Sequence, residues 1–456
     1  MLRRGHMLAI EGKKLYNWQE QVEKRYTDMI DITLLRSEPE LVRDNIKKKF
    51  QDKKLPLVDE AIALDAKKRA LQTEGDELRA ARNSLSKQIG QLMREKRTDE
   101  AEKIKAQVNA DAERLKCIEA ESEDVGARLK QVMMSIPNII SPETPIGRND
   151  MENVERERFL EPRVPDFEIP YHVDILEKLG GADIDSARKT SGQGFYYLIG
   201  NVARLHSAVL AYARDFMINK GFTYCIPPFM IRSSVVSGVM SFEEMEGMMY
   251  KIEGEDLFLI GTSEHSMIGR FAGTTIEESK LPLTLTSYSP CFRKEKGAHG
   301  IEERGVYRIH QFEKQEMIVV CKPEESCEWY EKMWKYTVEL FVSMGIPVRT
   351  LECCSGDLAD LKYRSVDVEA WSPRQKKYFE VGSCSNLTDA QARRLGIRYK
   401  GEKGTAYAHT LNNTVVAPPR MLIAFLENHL NADGSVDIPE VLRPYMGGLE
   451  KILPVS

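Results

Sequence analysis

No run of 18 apolar residues occurs anywhere in the 456-residue chain, so a helix spanning a membrane is not expected. The eight cysteines include no CxxC pair, only the adjacent Cys353 and Cys354. No cysteine–histidine set has the spacing of a zinc site. Free thiols in a reducing cytosol follow as the expectation, with no zinc and a cytoplasmic location. There is no GxxxxGK[ST] phosphate loop and no GxGxxG after a strand, so any bound nucleotide must be gripped by side chains. Charge is nearly balanced, 65 basic against 70 acidic residues for a net of −5. Such a chain meets a nucleic acid only through a local basic stripe. The opening MLRRGHMLAIEGKKLYNW is basic but has neither the apolar core nor the small-residue cleavage site of a secretory signal.

What the chain does have is 42% hydrophobic residues, ample for a packed core, and a length that suggests two to four domains. Residues 1–28 read as an extension, and 29–55 as a short helix entered after Ser37-Glu38-Pro39. Proline is absent between Leu57 and Ile136. In that stretch Leu71, Leu78, Leu85 and Leu92 stand seven apart, with Ile89 between. After the polar break Lys96-Arg97-Thr98-Asp99, two more seven-residue rows follow. Ile104, Ile118, Val125 and Val132 make one, interrupted by Asp111; Val108, Leu115, Leu129 and Ile136 make the other, interrupted by Ser122. Paired rows of this kind form an a/d seam, and a short turn between them folds the second helix back on the first. The expectation is an antiparallel two-helix arm over 29–136, each helix reaching roughly 60 Å. It serves either as a dimerising coil or spacer, or as a reach element whose Arg94, Lys96 and Arg97 near the turn meet a polyanion.

Pro137, Pro142, Pro145, Pro162, Pro165 and Pro170 break the pattern, and 137–170 reads as a linker. From 171 to 456, FTYCI, LFLIG, TLTSY, EMIVVC, VDVEAW and KYFEVGS read as strands with few helices between them. That favours a mostly antiparallel sheet flanked by helices, an α+β domain. A helix from Arg204 to Lys220 should stop at Gly221.

Four polar groupings lie in this second domain. Thr262-Ser263-Glu264 follows the strand LFLI, where hydroxyls and a carboxylate suit a small cationic or hydroxylated ligand; the same residues also make a helix N-cap. In CFRKEKGAHGIEERGVYRIHQFEKQE, Arg293 and Glu295 fall on one face of a strand, and Arg308, His310 and Phe312 on one face of the next. Arginines suit phosphates and the phenyl ring suits a purine; an exposed hairpin with cross-strand ion pairs is the alternative. Glu380 and Ser383 in YFEVGSCSN offer an oxygen pair for Mg²⁺. Arg420, near the start of a helix where a cation opposes the dipole, is best explained by an anionic or aromatic ligand, with Asn412 and Thr414 just upstream.

In combination these features resemble the seryl-tRNA synthetases, class II aminoacyl-tRNA synthetases, over nearly all of residues 29–450, in the common form rather than the zinc-dependent one. GFTYCIPP (Gly221 to Pro228) is similar to motif 1, FRKE through RIHQF to motif 2, and the segment ending at Arg420 to motif 3. The resemblance implies ATP-dependent activation of L-serine and its transfer to tRNA(Ser), with tRNA(Sec) charged through the same long variable region. It also implies a homodimer built around motif 1, Mg²⁺, and tRNA contacts from Arg94, Lys96 and Arg97 on the arm.

Site roles implied by the same resemblance can be stated residue by residue. Thr262, Ser263 and Glu264 line the serine site, Glu316 holds the ammonium and hydroxyl, and Asn412 and Thr414 contact the side chain. Arg293 bridges the serine carboxylate and the α-phosphate. Glu295 accepts from the adenine amino group, Phe312 and Arg420 sandwich the ring, and Arg308 lies near the γ-phosphate. Glu380 and Ser383 hold Mg²⁺, while Lys294, Ile309, Val381 and Gly382 complete the ATP set. Motif 3 departs from the family at Val415, Pro418 and Pro419, where glycines are usual, and Gly382 stands where a serine is common. Two other readings remain open: a paralogue that loads a carrier protein, which would lack the arm, and an RNA-binding coiled-coil protein with an inactive body.

Overall fold

The structure, a computed structural model, describes residues 30–295, 305–402 and 404–455, without the side chains of Phe242 and Glu243. The extension 1–28 lies outside the described residues. The chain forms two compact units, one of Ile30–Pro137 and one that begins at Asn138.

In the first unit the segment expected as one short helix is two, Ile32–Ser37 and Pro39–Lys48. Pro39 starts the second because a first-turn residue needs no N–H. Two long helices follow, α1 (Pro56–Arg94) and α2 (Thr98–Ser135), reversed within Glu95–Arg97, where Lys96 takes φ +59°. Their shared face buries Val58, Ala61 and Leu71 against Leu115, Ile118, Val125, Leu129 and Val132. Asp111, which interrupts the heptad row, is buried too, and Gln107 donates to it at 2.7 Å. Ion pairs cross the seam at Glu60–Arg128, Lys67–Glu121, Glu74–Arg114 and Arg79–Glu119. Such exposed pairs add little stability each, but they fix register. Toward the turn Leu85, Ile89 and Leu92 are only half-buried, since a two-helix hairpin covers each stripe from one side.

The second unit is built on an eight-stranded sheet. Its strands are β1 (Val154–Phe159), β2 (Thr223–Cys225), β3 (Leu283–Phe292), β4 (Gln311–Cys321), β5 (Val348–Glu352), β6 (Arg364–Ser372), β7 (Lys377–Asn386) and β8 (His409–Val416), in the order β1-β5-β6-β7-β8-β4-β3-β2. All pairings are antiparallel except β2 with β3. Three helices cover one face: α3 (Gly200–Asn219), α4 (Ser326–Ser343) and α5 (Pro418–His429). Val209, Phe341 and Phe425 from these helices pack with Met317, Val368 and Leu411 of the sheet. Gly221, at φ +88°, ends the turn after α3 as expected.

Two expectations need correction. The stretch 137–170 is not only a linker, because Val154–Phe159 pairs with β5 as the sheet's edge strand. LFLIG contributes only Phe258–Leu259 as strand, because Thr262 already caps the helix Ser263–Gly269. None of the eight cysteines forms a disulfide. Among the described residues, no helix is long and apolar enough to cross a membrane.

Candidate active site

Two bulges shape the working surface of the sheet. β7 slips register against β6 between Glu380 and Gly382, and β8 slips against β4 between Thr414 and Val416. Bulges re-aim side chains at sites of this kind. Gly382 sits tightly at its bulge: a Cβ there would meet the Thr414 carbonyl oxygen at 3.3 Å, so a larger residue fits only if that strand gives by a few tenths of an ångström. Beside these slips opens a cavity of about 440 Å³. Thr262, Glu264, Arg293, Glu295, Arg308, Ile309, Phe312, Glu316, Glu380, Val381, Gly382, Ser383, Asn412, Thr414 and Arg420 all line it. Two of the expected residues do not. Ser263 is fully buried in the first turn of its helix, and Lys294 turns away toward the Glu246 carbonyl at 3.5 Å.

At one end of the cavity, Thr414 on β8 stands directly opposite Glu316 on β4. Thr262 donates to Glu316 Oε2 at 3.4 Å, and Lys314 pairs with the same oxygen. Glu264 is buried beside this pair, and Gln391 donates to its Oε1 at 2.7 Å. Burial first, and the Glu316 carboxylate second, push the Glu264 carboxyl up to about 7. The adjacent His265 is held neutral: burial, with Arg293 and Lys314 nearby, takes its imidazole down to about 3. Carboxylates at the floor of a small polar recess suit an ammonium ion that carries a hydroxyl.

At the other end the cavity is arginine-rich. Arg293 donates from Nε to the Gly261 carbonyl at 3.1 Å, and its guanidinium lies 5.2 Å from the Phe312 ring centre. That fixes the plane of the fork for an anion. Arg420 donates to Glu380 at 2.8 Å and lies 5.0 Å from the ring centre of Tyr307. Arg308 faces Glu295 at 3.8 Å. Phe312 and Arg420 therefore line one cavity, each with a cation–π partner of its own.

The strand geometry expected around motif 2 is corrected here. β3 ends at Phe292, and Arg293 and Glu295 reach the cavity from the loop beyond it. The Arg293 N–H donates to the His310 carbonyl, the Lys294 N–H goes to Met248, and Glu295 takes φ +45°. β4 begins only at Gln311, so alternation does not extend back to Arg308 and His310. The His310 ring instead engages the Tyr250 hydroxyl at 3.1 Å and the Arg293 carbonyl at 3.0 Å.

The donors near β7 suit a hard cation. Ser383 faces Asp367 across β6, and Ser365 bonds the Ser383 hydroxyl at 3.2 Å. Burial, then the neighbouring Glu380, pushes the Asp367 carboxyl up to about 7. Burial also pushes Glu380 upward, yet Arg420 holds it below its ordinary range. Two carboxylates and a hydroxyl are oxygen donors of the kind Mg²⁺ takes. Cys353, Asp357 and Asp367 also bring ligand atoms within 4.8 Å of one another, with the Lys362 ammonium in their field. Sequence reading missed Asp367, Lys362, Lys314, Tyr307 and Gln391. Lys314, two residues before Glu316 on the same strand, and Asp367, between two valines of VDVEAW, carried a signal that alternation could have used. Arg94, Lys96 and Arg97 are exposed at the turn of the helical unit, where Arg97 is paired with Glu95 and Glu100.

Comparison with known proteins agrees with this geometry. Residues 248–429 match the tRNA synthetase class II core domain (G, H, P, S and T), and residues 29–140 the seryl-tRNA synthetase N-terminal domain. The serine–tRNA ligase of Methanocella arvoryzae is 40% identical over 425 residues, 92% of this chain and all of the relative. Seryl-tRNA synthetase from Pyrococcus horikoshii, solved complexed with ATP, superposes with a TM-score of 0.89 at 39% identity, covering 94% of this chain and 100% of that one. The cytoplasmic serine–tRNA ligase of Naegleria fowleri, solved in complex with AMP, gives 0.84 at 32% identity over the same shares.

Proposed function

The chain belongs to the seryl-tRNA synthetase family, and from that premise we infer that it activates L-serine with ATP and transfers the seryl group to the 3′ end of tRNA(Ser). It acts as a serine–tRNA ligase. The observation that carries the reading for its own residues is the joining of an acidic recess (Glu264, Glu316) and an arginine-rich end (Arg293, Arg420) in one cavity.

Activation needs no general base, because the serine carboxylate is already ionised near neutral pH. The ammonium sits against Glu264 and Glu316, and the hydroxyl against Thr414 and Asn412. This places the carboxylate beside Arg293. A carboxylate oxygen bonds to the α-phosphorus while the bond to the bridging oxygen breaks, and pyrophosphate leaves. Arg293 and Arg308 bear the charge that spreads over the phosphates. Phe312 and Arg420 clamp the adenine, and Glu295 accepts from its amino group. Glu380 and Ser383 would hold a Mg²⁺ ion, which when bound neutralises phosphate charge. In the second step the terminal ribose hydroxyl of the tRNA attacks the carbonyl carbon, the bond from that carbon to the phosphate oxygen breaks, and AMP departs with the hydroxyl proton on its phosphate. Polar partners that the hydroxyl satisfies would be left unpaired by alanine, which is how the recess rejects it.

The arm reads tRNA by backbone shape, using Arg94, Lys96 and Arg97 at its turn, and the same surface accepts tRNA(Sec). Ile218, Ile226 and Met230 are exposed beside β2, which supports a homodimer through that region. The reaction belongs in the cytoplasm, where ATP, tRNA and free thiols coexist. A serine-dependent ATP–pyrophosphate exchange assay followed by tRNA charging tests the whole reading. Exchange and charging together are expected. Exchange without charging would favour a carrier-protein ligase, and no exchange an inactive RNA-binding body.

A further inference from the structure

Gln391 lies behind the cavity wall, fully buried on the short helix Ala390–Leu395. Its amide nitrogen reaches Glu264 Oε1 at 2.7 Å and the Val239 carbonyl at 3.3 Å. Its oxygen accepts from the Thr410 hydroxyl at 2.7 Å. A backbone carbonyl can only accept, so the NH₂ end must face Val239 and Glu264, and the amide cannot be flipped. The helix itself is anchored, because Arg394 donates to the carbonyls of Ser237 and Met240 at 3.4 and 3.0 Å. Gln391 is thus a rigid donor aimed at one oxygen of a buried carboxylate.

We propose that Gln391 is a positioning residue for the amino-acid site: it occupies Glu264 Oε1, fixes the carboxylate plane and leaves Oε2 to accept from the serine ammonium. The proposal rests on the activation reaction inferred above and adds to it what orients the acceptor. The charged groups acting on Glu264 are Glu316 and Lys314 from β4 and Lys362 from the loop before β6. Glu316 favours a proton on Glu264, whereas the two lysines and the Gln391 N–H favour the ionised form that an ammonium requires. Without this donor, Glu264 ionises at higher pH and turns more freely.

The test is serine-dependent ATP–pyrophosphate exchange by the full chain from pH 6 to 9. Gln391→Met is expected to raise the serine KM about tenfold at pH 7, as loss of a hydrogen bond to a charged group implies. The KM should fall back toward wild type by pH 9, while kcat and the ATP KM stay within about twofold. Thr410→Val, which frees the amide oxygen but keeps the donor, should shift the serine KM the same way by about two- to threefold. A wild-type serine KM at every pH, or a loss of kcat that alkaline pH does not restore, overturns the proposal. If Gln391→Met fails to melt cooperatively, Thr410→Val decides, and an unchanged serine KM there overturns it as well. Absence of exchange by the wild-type chain would overturn the functional reading instead.

Discussion

Arg420 donates to Glu380 Oε2 at 2.8 Å, so the side chain proposed to clamp adenine and the one proposed to hold the divalent ion hold each other. Burial alone would disfavour charge on both, and mutual attraction keeps both ionised. In the proposed reaction both side chains also serve ATP, one at the base and one at the metal, so this pair would tie the two binding events together. Arg420→Ala should therefore raise the ATP KM about tenfold or more, as loss of a desolvated cation contact implies. The serine KM, set at the far end of the cavity, should change little. Exchange assays with ATP and serine varied separately read this directly, and an unchanged ATP KM would remove Arg420 from the nucleotide site.

Arg293 carries the transition-state charge in the proposed reaction, and its fork is fixed by Gly261 and Phe312. Arg293→Ala should lower the exchange rate on the order of 10²–10³-fold, the size of effect seen when a preorganised charge-stabilising donor is lost. The melting temperature should stay close to wild type, because this side chain is half-exposed and lines a cavity rather than the core. An active variant would refute the assignment.

Glu264 gives a stability prediction with a definite sign. Its folded-state pKa of about 7 lies above its ordinary value of 4.5, so the folded chain holds this proton more tightly than the unfolded one. The associated stability is complete below about pH 4.5 and is lost as pH rises through about 7. Glu264→Gln removes the buried charge, so it should be more stable than wild type at pH 8, on the order of 2–3 kcal/mol. The gain should vanish toward pH 4.5, and serine-dependent exchange should be lost throughout. Melting curves across that range check it; a variant no more stable at pH 8 would place the wild-type carboxylate in a well-solvated or fully compensated setting.

Some parts of this protein were readable from residues alone and others were not, for physical reasons. The arm was legible because its seam repeats every seven residues, and the interruption at Asp111 did not hide it. Glu380, Ser383, Asn412, Thr414 and Arg420 were legible because polar groups stand out within apolar strands and at a helix start. The edge strand Val154–Phe159 was not, since VERERF is exposed along most of its length and charge is what protects an edge from further pairing. Alternation puts Arg293 and Glu295 on a strand, whereas β3 ends before them because the N–H groups of Arg293 and Lys294 donate to the carbonyls of His310 and Met248, residues distant in sequence. Gln391 gave no signal at all, because the carboxylate it donates to, Glu264, lies 127 residues away.

The arm supplies the last prediction. Arg128 pairs with Glu60 at 2.6 Å across the seam, so chain ends cut near these two residues lie close together and a short glycine–serine linker can join them. Removing about residues 60 to 134 should leave serine-dependent exchange within roughly threefold of wild type, because every residue proposed for adenylate formation lies in the unit that begins at Asn138. Charging of tRNA(Ser) should fall by on the order of 10²-fold or more, since several phosphate contacts are lost together. A milder lesion separates reach from charge. Reversing Arg94 and Lys96 to glutamate keeps the helices and should weaken tRNA binding most at low salt, with a shallower salt dependence than wild type. Filter binding at several ionic strengths measures it. Full charging by the truncated chain would mean that tRNA is recognised by the catalytic body alone.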